Sequence, residues 1–473
     1  MKVLFAASEA YPFAMSGGLA DVAGALPKAL RKRLIGCRVV LPLYESVPQE
    51  LREKMQFVKG ITVPVAWRRQ YCGIFEAHVD GVIYYLLDNQ YYFKRDTLYG
   101  HYDDAERFAF FARAVVEMIE HIDFVPDVIH CNDWQTALIP TYLHCFKGDN
   151  PLYKNIKTVF TIHNIQYQGK FGKEIICDIL GTPAEVENVI EYDNAVNYMK
   201  AGIESADKVT TVSPTYSREI LDPWYSHGLD SILENRKWKL SGIVNGIDTD
   251  VYNPATDKLI FANFDAENMD GKAENKRLLQ ERLGLPVRED VPLIGIVSRL
   301  VSHKGFDLVK AVFEELLSED VQFAVLGSGE WEYETFFHEM SEKYPEKVGL
   351  KLGFIPELAH KIYAGADIFL MPSKSEPCGL AQMVALRYGT IPIVRKTGGL
   401  ADTITDSGDG KGNGFVFENY NAYDMAHAVR RALAGYANKS GWQTLVNRAI
   451  NCDNSWARSA GEYIKLYKEI VKK

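Results

Sequence analysis

Several polar and charged side chains of this 473-residue chain stand directly after short apolar runs, where a buried strand would end. In the stretch Met371–Leu400, such a run is followed by Ser375-Glu376-Pro377-Cys378-Gly379 and then by a helical pattern. A helix N-terminus offers unpaired N–H groups to a phosphate, and Glu376 can accept hydrogen bonds from sugar hydroxyls. Taken alone, the stretch is equally explained by a carboxylate that favours the helix dipole and a glycine that relieves a tight turn.

A five-residue repeat favours the ligand-binding interpretation. The sequence GGLAD occurs at Gly17–Asp21 and again at Gly398–Asp402, after the apolar runs Val3–Ala7 and Ile391–Val394. Both copies could place backbone N–H groups at the carboxyl end of a parallel sheet, where open α/β sheets bind ligands. Two Rossmann-like halves are therefore predicted.

Further polar groups follow other predicted strands: Asn132-Asp133-Trp134-Gln135, His163-Asn164, Ser298-Arg299-Leu300 and His303-Lys304-Gly305. Arg299 offers a planar fork and Lys304 a point charge, and both suit a diphosphate. A pair of solvated surface charges is the ordinary alternative. His163 by itself is typical of a structural histidine.

The surrounding elements alternate as in a doubly wound α/β fold. From Pro292 onward, apolar runs at 293–297, 323–326, 350–354, 368–371 and 391–394 alternate with helical stretches, which indicates a parallel sheet. In the first half, the stretches 57–67, 73–79 and 82–88 alternate like antiparallel strands, and we expect a meander inserted into that domain. The expected domains are residues 1–245 and 246–455, followed by a C-terminal helix at 456–473.

Composition excludes several classes of function. Apolar content of 47% and charged content of 24% are those of a globular protein, and a net charge of −9 argues against a general binder of nucleic acid or anionic membranes. The seven cysteines are scattered and never form a C-x-x-C pair, so neither a disulfide framework nor a zinc site is indicated. Since no segment approaches the length of a membrane span, we expect a cytoplasmic protein.

Together, several long motifs resemble those of bacterial glycogen synthases, in the starch synthase family of nucleotide-sugar glucosyltransferases. They include SGGLADVAGALPKAL, LYGHYDDAERFAFFARA, HCNDWQTALIP, TIHNIQYQGKF, VNGIDTDVYNP, SRLVSHKGFDL, SEPCGLAQ and KTGGLADTI. The resemblance implies a GT-B architecture of two Rossmann-like domains facing a cleft, with the last helix crossing back to the first domain. It also implies transfer of glucose from ADP-glucose to the non-reducing end of an α-1,4-glucan with retention of configuration.

The resemblance further implies roles for individual residues. His163, Arg299, Lys304 and Glu376 would be catalytic, with the two cations neutralising the departing diphosphate. Donor contacts would come from Met15, Ser16, Gly17, Gly18, Asp21, Asn245, Phe354, Cys378, Gly379, Leu380 and Ala381. The acceptor side would carry Tyr99, Asp133, Trp134 and Gln135. No metal or cofactor is expected, because the sequence has no ligand spacing such as H-E-x-x-H and the two cations can replace a metal ion.

Two alternatives remain open at the level of sequence. A dinucleotide-dependent oxidoreductase would share Rossmann folds, but neither GGLAD copy is a G-x-G-x-x-G with an acidic residue about 20 positions later. A catalytically weak or inactive glucan-binding homologue is the second alternative, because Met15 stands where the family typically has a lysine and fold alone does not secure activity.

Overall fold

The computed structural model of the chain describes residues 1–148 and 150–472. These residues form two compact units, the first comprising residues 1–246 and the C-terminal segment from Trp456, the second comprising residues 247–455. Each unit is built on a largely parallel sheet with helices between its strands, which confirms the predicted α/β class.

In chain order, the strands of the first unit are β1 Lys2–Ala6, β2 Gly36–Pro42, β3 Gln56–Val65, β4 Arg68–Val79, β5 Val82–Asp88, β6 Val128–Asn132, β7 Lys157–Ile162, β8 Lys170–Phe171, β9 Glu191–Tyr192, β10 Ala195–Asn197, β11 Lys208–Thr211 and β12 Leu240–Gly242. They form a nine-stranded sheet and a small three-stranded one, in the spatial orders β12-β11-β7-β6-β1-β2-β5-β4-β3 and β8-β10-β9. Neighbouring strands from β12 to β5 pair in parallel.

The expected meander is confirmed, because β3 pairs antiparallel with β4 and β4 pairs antiparallel with β5. β5 is a parallel member of the main sheet, paired with β2, while β4 and β3 extend the same sheet as an antiparallel edge. An alternating pattern marks a strand with one face towards solvent, but it does not reveal the neighbour with which that strand pairs.

The helices of the first unit cover this sheet: α1 Gly18–Lys32, α2 Gln49–Arg52, α3 Gln90–Phe93, α4 Asp104–Met118, α5 Leu138–Lys147, α6 Glu187–Ile190, α7 Tyr198–Ser205, α8 Pro214–Glu219, α9 Pro223–Ser226 and α10 Asp230–Arg236. Strand β6 is buried along its whole length, as expected for a central strand with both faces covered. The polar residues that follow β6 and β7 are therefore carried on rigid elements.

The strands of the second unit are β13 Leu293–Val297, β14 Gln322–Gly327, β15 Val348–Leu352, β16 Ile368–Met371, β17 Ile391–Arg395 and β18 Phe415–Phe417. They form one six-stranded, wholly parallel sheet in the order β15-β14-β13-β16-β17-β18. Its helices are α11 Asp270–Leu283, α12 Phe306–Leu317, α13 Trp331–Lys343, α14 Pro356–Gly365, α15 Ala381–Arg387, α16 Gly398–Thr403, α17 Ala422–Ala437 and α18 Lys439–Ile450. β13, β16 and β17 lie side by side, so the loops that follow them share one edge of the sheet.

The last helix, α19 (Trp456–Val471), belongs to the first unit and packs against α1. Its Tyr467 hydroxyl lies 2.7 Å from Nδ1 of His130 on β6. None of the helices in the described ranges is long and apolar enough to cross a membrane.

Candidate active site

An ion pair joins two of the predicted catalytic residues in the second unit. Lys304 ends a short helical turn after β13, and its Nζ donates to Oε2 of Glu376 at 2.6 Å. The Ser373 hydroxyl donates to the same oxygen at 2.9 Å, and the Glu376 side chain is buried. The other oxygen, Oε1, accepts no hydrogen bond from the described residues. Glu376 is therefore held by one oxygen and can offer the second to a ligand.

A second cation stands close by without a partner. Arg299 follows β13, is exposed, and forms no ion pair with any residue that the structure describes. Burial lowers the pKa of the neighbouring His303, and the charges of Lys304 and Arg299 lower it further. The two cations thus act on one small region at the end of β13. An exposed, unpaired guanidinium next to a held ammonium is suited to an anion with several oxygens.

The turn between β16 and α15 offers backbone donors. Gly379 has φ +70°, a conformation that favours glycine, and the Gln382 side-chain amide donates to the carbonyls of Cys378 and Gly379. In the described chain, the backbone N–H groups of Gly379, Leu380 and Ala381 have no hydrogen-bond acceptor. Three successive free donors at the start of a helix form a site for an anion or for sugar oxygens.

The two GGLAD copies differ in their surroundings. In the second copy, a Cβ added to Gly399 would lie 2.1 Å from the Cys378 carbonyl oxygen, and one added to Gly398 would lie 1.9 Å from that of Glu376. The Gly399 N–H donates to the Glu376 carbonyl at 3.1 Å. These glycines therefore allow α16 to pack against the loop that carries Glu376 and Cys378. The expectation that this copy presents N–H groups to a ligand is wrong for Gly399.

In the first copy, the glycines are open. Gly17 and Gly18 are exposed, and a Cβ added to Gly18 would meet nothing within 4 Å. Met15 is 54% exposed, and Asp21 lies exposed in the first turn of α1. This loop, unlike its repeat, leaves room for a ligand to approach the backbone.

A buried carboxylate that we did not single out from the sequence holds this loop. Oε2 of Glu9 accepts hydrogen bonds from both the N–H and the hydroxyl of Ser16, each at 2.6 Å. Burial raises the pKa of Glu9, an effect opposed by these hydrogen bonds, while the charge of Asp21 raises it further. Glu9 thus brings its own negative charge to the N-terminus of α1. In the sequence, it is one glutamate in a loop, and only its partner seven residues later reveals its role.

His163 lies at the end of β7 as a neutral imidazole. Burial lowers its pKa to about 3. Its Nε2 is 2.9 Å from Oδ1 of Asn132, whose amide nitrogen donates to the carbonyls of Ala6 and His130. Because that amide orientation leaves Oδ1 as an acceptor, the proton of His163 is on Nε2 and Nδ1 carries the lone pair. His163 can accept a hydrogen bond from a sugar hydroxyl through Nδ1.

Asp133 supports His163 from a strained backbone. It has φ +57° and ψ 177°, a region rarely occupied by residues other than glycine. Its Oδ1 accepts a hydrogen bond from the N–H of His163 at 2.8 Å. Burial raises the pKa of the Asp133 carboxyl group to about 7, although hydrogen bonds from the backbone N–H groups of His163 and Asn164 oppose the shift. The charge of Glu9 adds to the rise. Strain of this kind persists where the surroundings enforce it, often at functional sites.

The predicted acceptor residues occupy different environments. Trp134 helps to line a cavity of about 470 Å³ in the first unit, together with His101, Asp104, Tyr167, Phe171 and five other residues. Tyr99 does not line this cavity, since its hydroxyl lies 2.8 Å from that of Ser8 and its ring packs near Phe108. Gln135 and the predicted donor residue Asn245 are buried, each with a side-chain oxygen that has no partner among the described residues. Such orphaned oxygens are usually satisfied by a ligand or by water.

Phe354 lies beyond the end of β15 and is 85% exposed. The strand ends at Leu352, two residues before the expected end, and Gly353 between them has φ +126°. A fully presented aromatic ring at this end of a parallel sheet is suited to stacking. The described residues contain no cluster of three or more side chains that could hold a metal ion.

Comparisons with known proteins agree with this geometry. Residues 2–235 match the model of the starch synthase catalytic domain, and residues 280–442 match that of the group 1 glycosyl transferases. The chain is 54% identical to a glycogen synthase from Bacillus cereus over 475 residues, with all of both chains covered. It is 52% identical to a glycogen synthase from Geobacillus stearothermophilus over 477 residues, with 100% of this chain and 98% of the relative covered.

Solved structures show the same fold. The catalytic domain of starch synthase IV from Arabidopsis thaliana, bound to ADP and acarbose, superposes with a TM-score of 0.91 at 34% identity, covering 100% of this chain and 99% of the other. A sucrose-phosphate synthase from Thermosynechococcus elongatus shares the fold alone, with a TM-score of 0.61 at 16% identity. The comparisons do not favour the alternative of an inactive homologue.

Proposed function

The chain belongs to the glycogen and starch synthase family of glycosyltransferases, and from that membership we propose its specific reaction: transfer of glucose from ADP-glucose to the non-reducing end of an α-1,4-glucan, with retention of configuration. The observation that carries the proposal is the arrangement around Glu376. One carboxylate oxygen is held by Lys304 and Ser373 while the other is open, with Arg299 and three unpaired N–H groups on loops at the same sheet edge. These groups match the needs of a glucosyl diphosphate.

Different groups would recognise the two parts of the donor, its charged diphosphate and the hydroxyls of its glucose. Arg299 and Lys304 would bind the diphosphate and stabilise the negative charge that grows on it as the bond to glucose breaks. Oε1 of Glu376 would accept a hydrogen bond from a glucose hydroxyl, and the N–H groups of Gly379–Ala381 would donate to sugar or phosphate oxygens. In this proposal, the two cations take the place of a metal ion.

The transfer step would proceed on one face of the sugar. The bond between the anomeric carbon and the diphosphate oxygen breaks, the acceptor 4-hydroxyl oxygen bonds to that carbon, and its proton passes to the departing phosphate oxygen. This path needs no nucleophilic side chain, and Glu376, held through one oxygen by Lys304 and Ser373, would instead bind a glucose hydroxyl through the other. The neutral His163 would accept a hydrogen bond from a sugar hydroxyl through Nδ1.

The acceptor would occupy the cavity of the first unit. Its walls combine aromatic rings, such as Trp134 and Phe171, with polar groups such as Asp104 and His227. Aromatic faces and hydrogen-bonding edges suit glucose units, which have apolar ring faces and hydroxyl rims. The proposal keeps the cytoplasmic location expected from the sequence.

A radiolabel transfer assay on glycogen, with ADP-glucose and UDP-glucose in parallel, tests this function. We expect label from ADP-glucose to enter glycogen and to be released as glucose by an enzyme specific for α-1,4 bonds. Glu376→Gln serves as the impaired control. Equal or better transfer from UDP-glucose would overturn the base preference, and no transfer from either donor would overturn the proposed reaction.

A further inference from the structure

A tryptophan is presented to solvent at the tip of an edge hairpin. Val65 at the end of β3 pairs with Arg68 at the start of β4, so Ala66 and Trp67 are the two residues of the turn. Two-residue turns of this kind favour asparagine and glycine, yet this one has alanine at φ +49° and a tryptophan that is 73% exposed. Turn geometry therefore does not explain the tryptophan.

The indole of Trp67 is held in place by a distant segment. Its Nε1–H donates to Oδ1 of Asp178, which lies on the π-helical turn Ile176–Leu180, at 2.9 Å. Arg68 ties the same parts together, because its guanidinium pairs with Oδ2 of Asp178 at 2.9 Å and its Cζ lies 4.4 Å from the centre of the indole ring. Gly181 packs so closely on Ala66 that an added Cβ would lie 2.8 Å from the Ala66 Cα. A ring ordered before binding loses little entropy when a ligand arrives.

From this arrangement we propose that Trp67 is the centre of a second glucan-binding site, at which a glucose unit of the acceptor polymer stacks on the open face of the indole. Arg68 lies over one face of the ring, so the proposed glucose unit would stack on the opposite face. The apolar face of a pyranose ring fits an indole face, while Arg68 and Asp178 border the ring with donors and acceptors for its hydroxyls. The inference rests on the proposed function, because the ligand is its glucan substrate.

The surroundings favour a sugar over a protein partner. The immediate neighbours Arg68, Arg69 and Asp178 are charged. The exposed Tyr71 lies four residues along β4, roughly 13 Å from Trp67 at about 3.4 Å per residue, and the exposed Phe57 and Val58 lie near the other end of β3, roughly 25 Å from the turn. A stable protein interface buries on the order of 1,000 Å² or more around an apolar centre. A single aromatic ring among charges has the size of one sugar unit.

The proposed site lies near the cavity of the first unit. Arg68 is 3.3 Å from a carboxylate oxygen of Glu106, two residues along α4 from Asp104 in the cavity wall. On the other side, Phe171 lines the cavity and Asp178 follows seven residues later, a length of chain that spans at most about 25 Å. A polymer held at Trp67 would keep its chain ends at a high local concentration near the cavity.

Glycogen-affinity gel electrophoresis of the full-length protein tests the site without a donor substrate. We expect Trp67→Ala to weaken glycogen binding by roughly three- to tenfold, the range for loss of one aromatic contact. Trp331→Ala is the matched control, since Trp331 is 79% exposed but lies on α13 of the second unit, and it should leave binding unchanged. Asp178→Ala, which releases the indole edge but keeps the ring, should weaken binding by a smaller factor.

Kinetics separate this site from the cavity. The KM for glycogen should rise in Trp67→Ala by the same factor as the affinity falls, while kcat, the KM for the nucleotide sugar and the rate with maltotriose stay unchanged, because maltotriose is too short to use both sites. Wild-type affinity in a folded Trp67→Ala, an equal loss in Trp331→Ala, or a parallel loss with maltotriose would each overturn the proposal. If the wild type binds glycogen through Trp67 but transfers no glucose, the proposed reaction fails and the site stands.

Discussion

Glu376 joins recognition of charge to recognition of the sugar, because one oxygen pairs with Lys304 while the other is open. We predict that Glu376→Gln lowers kcat by at least about tenfold in a folded protein, since the amide removes the charge that holds Lys304 and weakens the acceptor offered to the donor sugar. Steady-state kinetics with a melting curve measure this. Glu330→Gln, a nearby exposed carboxylate that influences His303, is the control and should retain turnover. Near-normal turnover of Glu376→Gln would make Glu376 a structural residue.

Met15 stands where the family typically has a lysine, next to a loop that Glu9 and Asp21 make locally negative. Its side chain is 54% exposed, so a lysine can be accommodated there without displacing the core. We predict that Met15→Lys raises kcat/KM for ADP-glucose by roughly 10- to 1,000-fold, the range for one added electrostatic contact. Met15→Gln separates charge from side-chain polarity and should give a much smaller gain. The absence of any gain in Met15→Lys would show that the charge is supplied elsewhere or is not needed.

At the scale of elements, the N-termini of α1 and α16 share the sequence GGLAD but not its use. A methyl group at Gly399 would overlap Cys378, whereas one at Gly18 would meet open space. We predict that Gly399→Ala lowers the free energy of unfolding by about 1–3 kcal/mol, the range for overpacking, and that Gly18→Ala leaves it unchanged within about 0.5 kcal/mol. Denaturant titration of both variants measures the difference.

The variants Gly18→Ala and Gly399→Ala also distinguish an effect on folding from an effect on activity. Gly18→Ala should lower kcat/KM while its stability is retained, because the methyl group occupies the space through which a ligand would reach the backbone of α1. Equal stability of the two alanine variants would refute the different packing of the repeats, and full activity of Gly18→Ala would refute the open copy as a ligand contact.

A chain of buried hydrogen bonds links α19 to the central strands. The Tyr467 hydroxyl lies 2.7 Å from Nδ1 of His130, and Nε2 of His130 lies 2.6 Å from the Thr161 hydroxyl. The Thr161 hydroxyl in turn lies 2.5 Å from that of Thr210. Burial lowers the pKa of His130 to about 3. Because an unfolded histidine takes up a proton near pH 6.5 and the folded His130 does not, its contribution to stability is present above pH 6.5 and is lost as the pH falls towards 3.

We therefore predict that His130→Asn is less stable than the wild type at pH 7.5, and that the gap narrows by about 1.4 kcal/mol per pH unit between roughly pH 6 and pH 4. Urea midpoints across this range, at constant ionic strength, measure the gap. Taking the difference between the two proteins removes the opposite contribution of Asp133, whose pKa is raised to about 7. Parallel pH profiles would contradict the assignment of a neutral, buried His130.

At the scale of the whole molecule, the chain completes its first unit only with its last helix. Trp456, Tyr463, Tyr467 and Ile470 of α19 are buried in that unit. At roughly 1.5–3 kcal/mol for each large side chain, their burial is comparable with the total stability of a domain. We predict that a chain ending at Ser455 aggregates or loses the cooperative melting of its first unit, whereas one ending at Ile470 melts as the full chain does. Identical calorimetric traces for the two truncations would contradict this role of α19.

Much of this protein could be predicted from local sequence. The alternation of apolar runs with helical stretches predicted the parallel sheets, and the bounds of β13 and β16 were predicted to the residue, because buried strands between turns have a simple local pattern. The motifs around Glu376, Arg299 and Lys304 predicted a phosphate and sugar site for the same reason, since a strand end followed by glycines and charges is itself a local arrangement.

Tertiary structure decided which of these local possibilities is realised. Identical GGLAD segments became an open loop and a packed one because their surroundings differ: Glu9 holds Ser16 beside the first copy, whereas the backbone of Cys378 packs directly against the second. The pairing of β5 with β2, the hydrogen bond that fixes the tautomer of His163 and the anchoring of Trp67 by Asp178 each depend on residues that are remote in sequence but in contact in the fold. Periodicity describes a segment and its exposed face, whereas the groups that cover that face are set by long-range packing.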